Sequence, residues 1–138
     1  MLSWGLLLAT VAYGAYTNLA DNVISGVPIK LDRREVTLSN SVEVATLPLS
    51  IFPESEKRRL AVDFGSTLFI PPAVMRAMES NDKAIARSRK RLEKGLCTED
   101  ASNDFCEKSL AARKRYLDRQ VNSGVITTAE RKLLEAIR

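Results

Sequence analysis

The chain has 138 residues, 45% hydrophobic and 28% charged, which excludes a wholly disordered polypeptide. It contains no histidine, so no Ser-His-Asp or Cys-His dyad can form, and no imidazole can ligate zinc, haem iron or chlorophyll magnesium. Its 21 Lys/Arg exceed its 17 Asp/Glu by four, and that surplus lies entirely beyond residue 60, because residues 1–60 carry six of each sign.

From Leu2 to Ala20 no side chain is charged. A helix over that stretch would rise about 28 Å, close to the hydrocarbon thickness of a bilayer, so residues 1–24 predict a single transmembrane anchor. Trp4 at one end and Tyr13 towards the other fit membrane-interface positions. Gly5, Ala9, Ala12 and Tyr16 recur at helical spacing and would form a packing face open to a neighbouring helix. Lys30, Arg33 and Arg34 follow the span and none precedes it. The positive-inside rule then puts the bulk on the stromal, matrix or cytoplasmic side of a thylakoid, mitochondrial inner or bacterial plasma membrane. A signal peptide cleaved near Ala12-Tyr13-Gly14 is the competing expectation, although no basic residue precedes the apolar run.

Residues 25–70 read as an extended arm. Val27, Ile29 and Leu31 alternate with other side chains, as do Val36 and Leu38, then Val42 and Val44, which is strand periodicity. Ser39-Asn40-Ser41 supplies turn chemistry, predicting a small hairpin of 36–38 with 42–44. Leu47, Leu49 and Ile51 continue the alternation, but Pro48 and Pro53 lack ladder donors and demote that piece to an edge. Between Pro53 and Gly65 a short helix is expected near 54–64.

Residues 71–138 read as a basic helical module. Pro72 suits a first helical turn and Gly95 is the next breaker; Val74, Met78, Ile85 and Leu92 form the apolar stripe, with Asn81 and Ser88 as its weak points. A second helix is expected from about Asn103 to Asn122, with Cys106, Leu110, Leu117 and Val121 inward, and a third from about Thr128 to Ile137. The corner Gly95-Leu96-Cys97-Thr98 echoes Gly124-Val125-Ile126-Thr127: a left-handed glycine, two pinning residues and a threonine N-cap. Thr127 and Glu130 have capping-box spacing. This grammar resembles the short helical C-terminal modules of many bacterial proteins, and the resemblance implies helices folding back as hairpins, with no activity attached.

The whole reads as an α+β chain: a transmembrane helix, a β-hairpin or extended middle, and an antiparallel array of helical hairpins. Cys97 and Cys106 lack Cys-x-x-Cys spacing. A helix starting at Thr98 would part them by about 13 Å, whereas Ser102 as the N-cap would let residues 98–101 loop back and a bridge close; with the predicted topology, free thiols are favoured over a disulfide. Neither a phosphate-binding glycine loop nor an EF-hand is present. No cofactor is required, though the apolar span leaves a peripheral chlorophyll or lipid contact open, with Asn18 the nearest side-chain ligand. Arg87, Arg89, Lys90, Arg91, Arg113, Lys114 and Arg115 compose a basic surface for a partner. Without aromatic residues interleaved, nucleic acid is an unlikely partner.

The expected function is therefore non-catalytic: an accessory subunit of a photosystem or respiratory complex, held by its anchor against larger integral membrane subunits. Two alternatives remain, a secreted or periplasmic binding module and a membrane-tethered adaptor for anionic lipid or nucleic acid.

Overall fold

Three short-range turns build the first half of the chain. A computed structural model describes residues 14–137, in which β1 (Gly14–Thr17), β2 (Val23–Leu31), β3 (Glu35–Ser39) and β4 (Val44–Pro48) follow one another as an antiparallel meander. Each connection is closed by an Asn or Asp side chain accepting from backbone amides just ahead of it, the Asx-turn mechanism. Asn18 accepts from Ala20 and Asn22 at 2.9 Å each; Asp32 from Arg34 at 2.7 Å and Glu35 at 2.9 Å; Asn40 from Val42 at 2.8 Å and Glu43 at 3.0 Å. The β2–β3 register shifts between Pro28 and Lys30, where proline offers no donor to the ladder. At Gly26 a Cβ would stand 3.0 Å from Leu38 Cβ, so only glycine lets β3 come that close.

Alternation along the strands sends Tyr16, Val36 and Leu38 inward, where they meet Leu49, Phe52 and Leu60. Each fully buried side chain of this kind stabilises by about 1.5–3 kcal/mol. Leu60 comes from α1 (Glu54–Phe64), which packs against β1 and β2 and stops at Gly65, whose left-handed φ of 83° ends the helix. The other sheet face carries Val27, Ser39 and Val44 in one cross-strand row, beside a Thr37–Thr46 hydroxyl pair at 2.9 Å.

Three helices form a second compact unit, Ile70–Glu135: α2 (Pro72–Glu93), α3 (Glu99–Asn122) and α4 (Thr128–Ala136). Pro72 sits in the first turn of α2, as expected. Both glycine corners close alike: Leu96 N–H donates to Arg91 at 2.9 Å and Val125 N–H to Gln120 at 2.9 Å, with Gly95 and Gly124 at φ 71° and 76°. The Thr127–Glu130 capping box forms in both directions, at 2.9 and 3.1 Å. Ile70, Val74, Met78, Leu117, Ile126 and Leu134 make the core. Towards the Gly95 corner, the α2–α3 pairing passes to polar contacts: Asn81 Nδ2 donates to Ser109 O at 3.0 Å, and the Ser88 and Ser102 hydroxyls lie 3.2 Å apart.

The transmembrane expectation is corrected. No helix among the described residues is long and apolar enough to cross a membrane, and residues 14–17 and 23–31 are strands of one sheet. Lack of charge describes composition and fixes no backbone conformation; here Asn18 and Asp21 turn the chain inside the stretch read as anchor, with Asp21 at φ 63°. Tyr16, read as part of a helix-packing face, is instead a buried strand residue in the sheet core. Trp4, Gly5, Ala9, Ala12 and Tyr13 lie outside the described residues. The hairpin expected at 36–38 and 42–44 is present as 35–39 with 44–48, Val42 falling in its turn.

Candidate functional site

The Gly95 corner has little apolar burial, so the ends of α2 and α3 that meet there leave an open cleft of about 430 Å³. From α2 it is lined by Ala84, Arg87, Ser88 and Arg91, and from the corner and α3 by Cys97, Ala101, Ser102 and Phe105. Thr98 caps α3 by accepting from Ala101 N–H at 3.2 Å, which starts the helix early enough to bring Ala101 and Phe105 to the cleft. The alanines keep the floor shallow and apolar. Phe105 is 44% exposed and walls the cleft.

Among the described residues of the helical unit, ion pairs join Lys83 with Glu79 at 3.0 Å, Lys108 with Asp104 at 3.0 Å, Arg113 with Asp82, and Arg131 with Asp118. The Asp118 hydrogen bond, with Glu135 adding to it, pushes the Arg131 guanidinium above its ordinary range. Among the described residues no ion pair forms at Arg87 or Arg91, although both are exposed and one helical turn apart. Arg87 also borders two adjoining hollows, one lined by Arg76, Glu79, Ser80 and Lys83, the other by Lys83, Ala86, Arg89, Lys90 and Glu93. Positive potential therefore extends along α2 beyond the cleft.

The seven basic residues singled out from the sequence separate into four groups. Arg87 and Arg91 line the cleft; Arg89 and Lys90 lie exposed beside it; Lys114 and Arg115 are exposed on α3. Arg113 is buried, bound to Asp82, and its Nη2 donates to Leu134 O at 3.4 Å, so it joins α2, α3 and α4 and faces no partner. Cys106, Arg113 and Leu117 step by seven and four, so Arg113 shares the buried stripe of α3. Ser88, a weak point of the α2 stripe, meets Ser102 in the lining of the cleft.

Cys97 lines the cleft, Cys106 is buried in α3, and both are free thiols. No group of three or more Cys, Asp or Glu among the described residues is arranged to hold a metal ion. Asn18 spends its side-chain carbonyl on its own turn.

A second polar constellation lies in the sheet unit. Tyr16 donates its hydroxyl to Asp63, while Arg59 stands 5.0 Å from the Tyr16 ring centroid, donates to Ala15 O at 3.1 Å and pairs with Glu56 at 2.7 Å. Burial, then the hydrogen bond to the Asp63 carboxylate, pushes the Tyr16 phenol well above its ordinary range. A phenol held neutral is a poor base and nucleophile, so this group acts as a tie between β1 and α1.

No family model matches the chain, and no curated protein or solved structure matches it either. Assignment to a photosystem or respiratory complex thus has neither a membrane-crossing helix among the described residues nor a relative behind it, and it is withdrawn. The integral-membrane localisation is withdrawn with it.

Proposed function

We propose that this protein is a non-catalytic docking component of a larger assembly, and that the α2–α3 hairpin carries its docking surface. The supporting observation is the pair Arg87 and Arg91, unpaired among the described residues at the rim of a cleft whose floor is apolar. Two guanidinium groups one helical turn apart, with no ion pair of their own and set over alanine and phenylalanine, suit an external acidic group. Arg87 and Arg91 would steer and orient the partner by charge. Ala84, Ala101 and Phe105 would supply the apolar contact that keeps it.

Crosslinking in native cells tests this reading. The chain bearing Arg87→Glu and Arg91→Glu should keep its helical circular dichroism and lose the neighbours that crosslink to the unchanged chain. An identical set of neighbours in both forms would overturn the proposal.

A further inference from the structure

Resting on that docking reading, we infer that the groove between α2 and α3 seats one acidic amphipathic helix of a partner protein. The grounds are spacing and charge. On α2 the exposed Ser80 and the cleft-lining Ala84, Arg87 and Arg91 step by four, three and four. On α3 the exposed series Ala101, Phe105, Lys108, Ala112, Arg115 and Arg119 steps by four, three, four, three and four. The two helices run antiparallel, with Ser88 against Ser102 and Asn81 against Ser109, so the two series flank one furrow. Alternating three–four spacing is the arrangement that receives the side chains of another helix. The α3 series covers about 27 Å, which a partner helix of about 18 residues would fill.

Small residues, Ala84 and Ala101, line the cleft, and Ala112 continues the exposed α3 series, so a helix can approach closely there. Cations stand on both banks: Arg87 and Arg91 on α2, Arg115 and Arg119 on α3. None of the four has an ion-pair partner among the described residues. The partner helix must therefore carry Asp or Glu on both flanks of a narrow apolar stripe, with a large apolar residue opposite Phe105 and Cys97. A nucleic-acid backbone fits less well. The cleft offers it one aromatic ring and no stacking ladder, and Asp100 and Glu107 stand exposed on the same helix. A second copy of this chain fits less well too, because its own three–four acidic series on α3 ends after Asp100, Asp104 and Glu107.

The test uses the full chain and a displayed library of 18-residue helices with fixed flanking Glu and randomised apolar residues at three–four spacing, beside a library of the same composition scrambled. Enrichment should come from the striped library alone. Selected helices should slow alkylation of Cys97, and Ala112→Glu, which sets a bulky carboxylate into the exposed α3 series, should weaken them by about tenfold or more. Equal enrichment of scrambled sequences, or equal competition by a DNA duplex, would overturn the inference in favour of a general polyanion surface. Cys97 protection in a self-associated chain without peptide, seen by sedimentation, would overturn it in favour of a second copy. If the Arg87→Glu, Arg91→Glu chain loses its cellular neighbours while no acidic helix is enriched, docking stands and the helix inference alone fails. Unchanged neighbours remove the docking reading itself.

Discussion

The two compact units solve the same problem with different materials. In the sheet unit, chain segments far apart in sequence are joined across the core: Tyr16 reaches Asp63 and Arg59 reaches Ala15 O, while Tyr16, Phe52 and Leu60 fill the space between. Its surface is mostly neutral, with threonine and valine on the open sheet face. The helical unit concentrates its apolar core among Val74, Met78, Leu117, Ile126 and Leu134 and lets the hairpin run on past it. Beyond Met78 the pairing rests on small polar contacts, and the surface is charged. A core that stops short leaves side chains free for other uses. The candidate site lies on that extension, where few residues are committed to folding.

Large-to-small changes should separate the two units most clearly. Phe52→Ala should cost about 3–5 kcal/mol and Leu117→Ala about 2–5 kcal/mol. Hydrogen exchange should locate the first loss in β2 and β3 and the second in α2, α3 and α4. Equal loss of protection in both units from either change would break the division. Next in size comes the buried cation. Asp82→Ala leaves Arg113 with only the Leu134 carbonyl at 3.4 Å, and an unsatisfied buried donor costs about 1–3 kcal/mol. Glu79→Ala, which frees exposed Lys83, should shift the urea midpoint by about 0.5 kcal/mol at most. Similar shifts for the two would mean that Arg113 is no better shielded than Lys83.

Tyr16 gives a smaller effect with a distinctive pH dependence. Tyr16→Phe should cost about 0.5–1.5 kcal/mol near neutrality through the lost Asp63 hydrogen bond. The folded phenol titrates above its ordinary value, so its contribution is complete below about pH 10, where the unfolded chain begins to ionise, and is lost as pH rises further. Alkaline denaturation of the unchanged protein should therefore steepen above about pH 10, and Tyr16→Phe should flatten that limb. A parallel decline in both forms would place the Tyr16 hydroxyl in water.

How legible these features were follows from how local their causes are. The helix Glu54–Phe64 was readable to the residue because Pro53 and Gly65 mark its ends, and both glycine corners repeat one grammar over four residues. Free thiols followed from whether Thr98 capped α3. The first strand was hidden for a physical reason: β1 is four residues long, its neutral side chains suit either period, and its pairing with β2 is a tertiary fact. Asn18 and Asp32 signalled their turns as plainly as Asn40 did, but the uncharged run drew attention from the first. At the site, the cations were legible and their partners were not. Arg87 and Arg113 look alike until Asp82 and the Leu134 carbonyl are found around one of them.

The finest contrast between the units lies in their turns. The helical corners use glycine and a threonine cap, whereas the β2–β3 turn uses Asp32 in the role that asparagine fills at Asn18 and Asn40. Amide hydrogen bonds from Arg34 and Glu35 hold the Asp32 carboxyl below the usual carboxylate range. A carboxyl with a depressed folded value contributes stability that is present above its unfolded value near pH 4 and lost as pH falls through the folded one. Asparagine keeps the turn and cannot titrate. Asp32→Asn should thus leave stability at neutral pH almost unchanged and remove part of the acid-side decline below about pH 4, with the change confined to amides of β2 and β3. Should the acid limb be identical in both forms, the turn would owe its geometry to the strands it joins and not to the carboxylate.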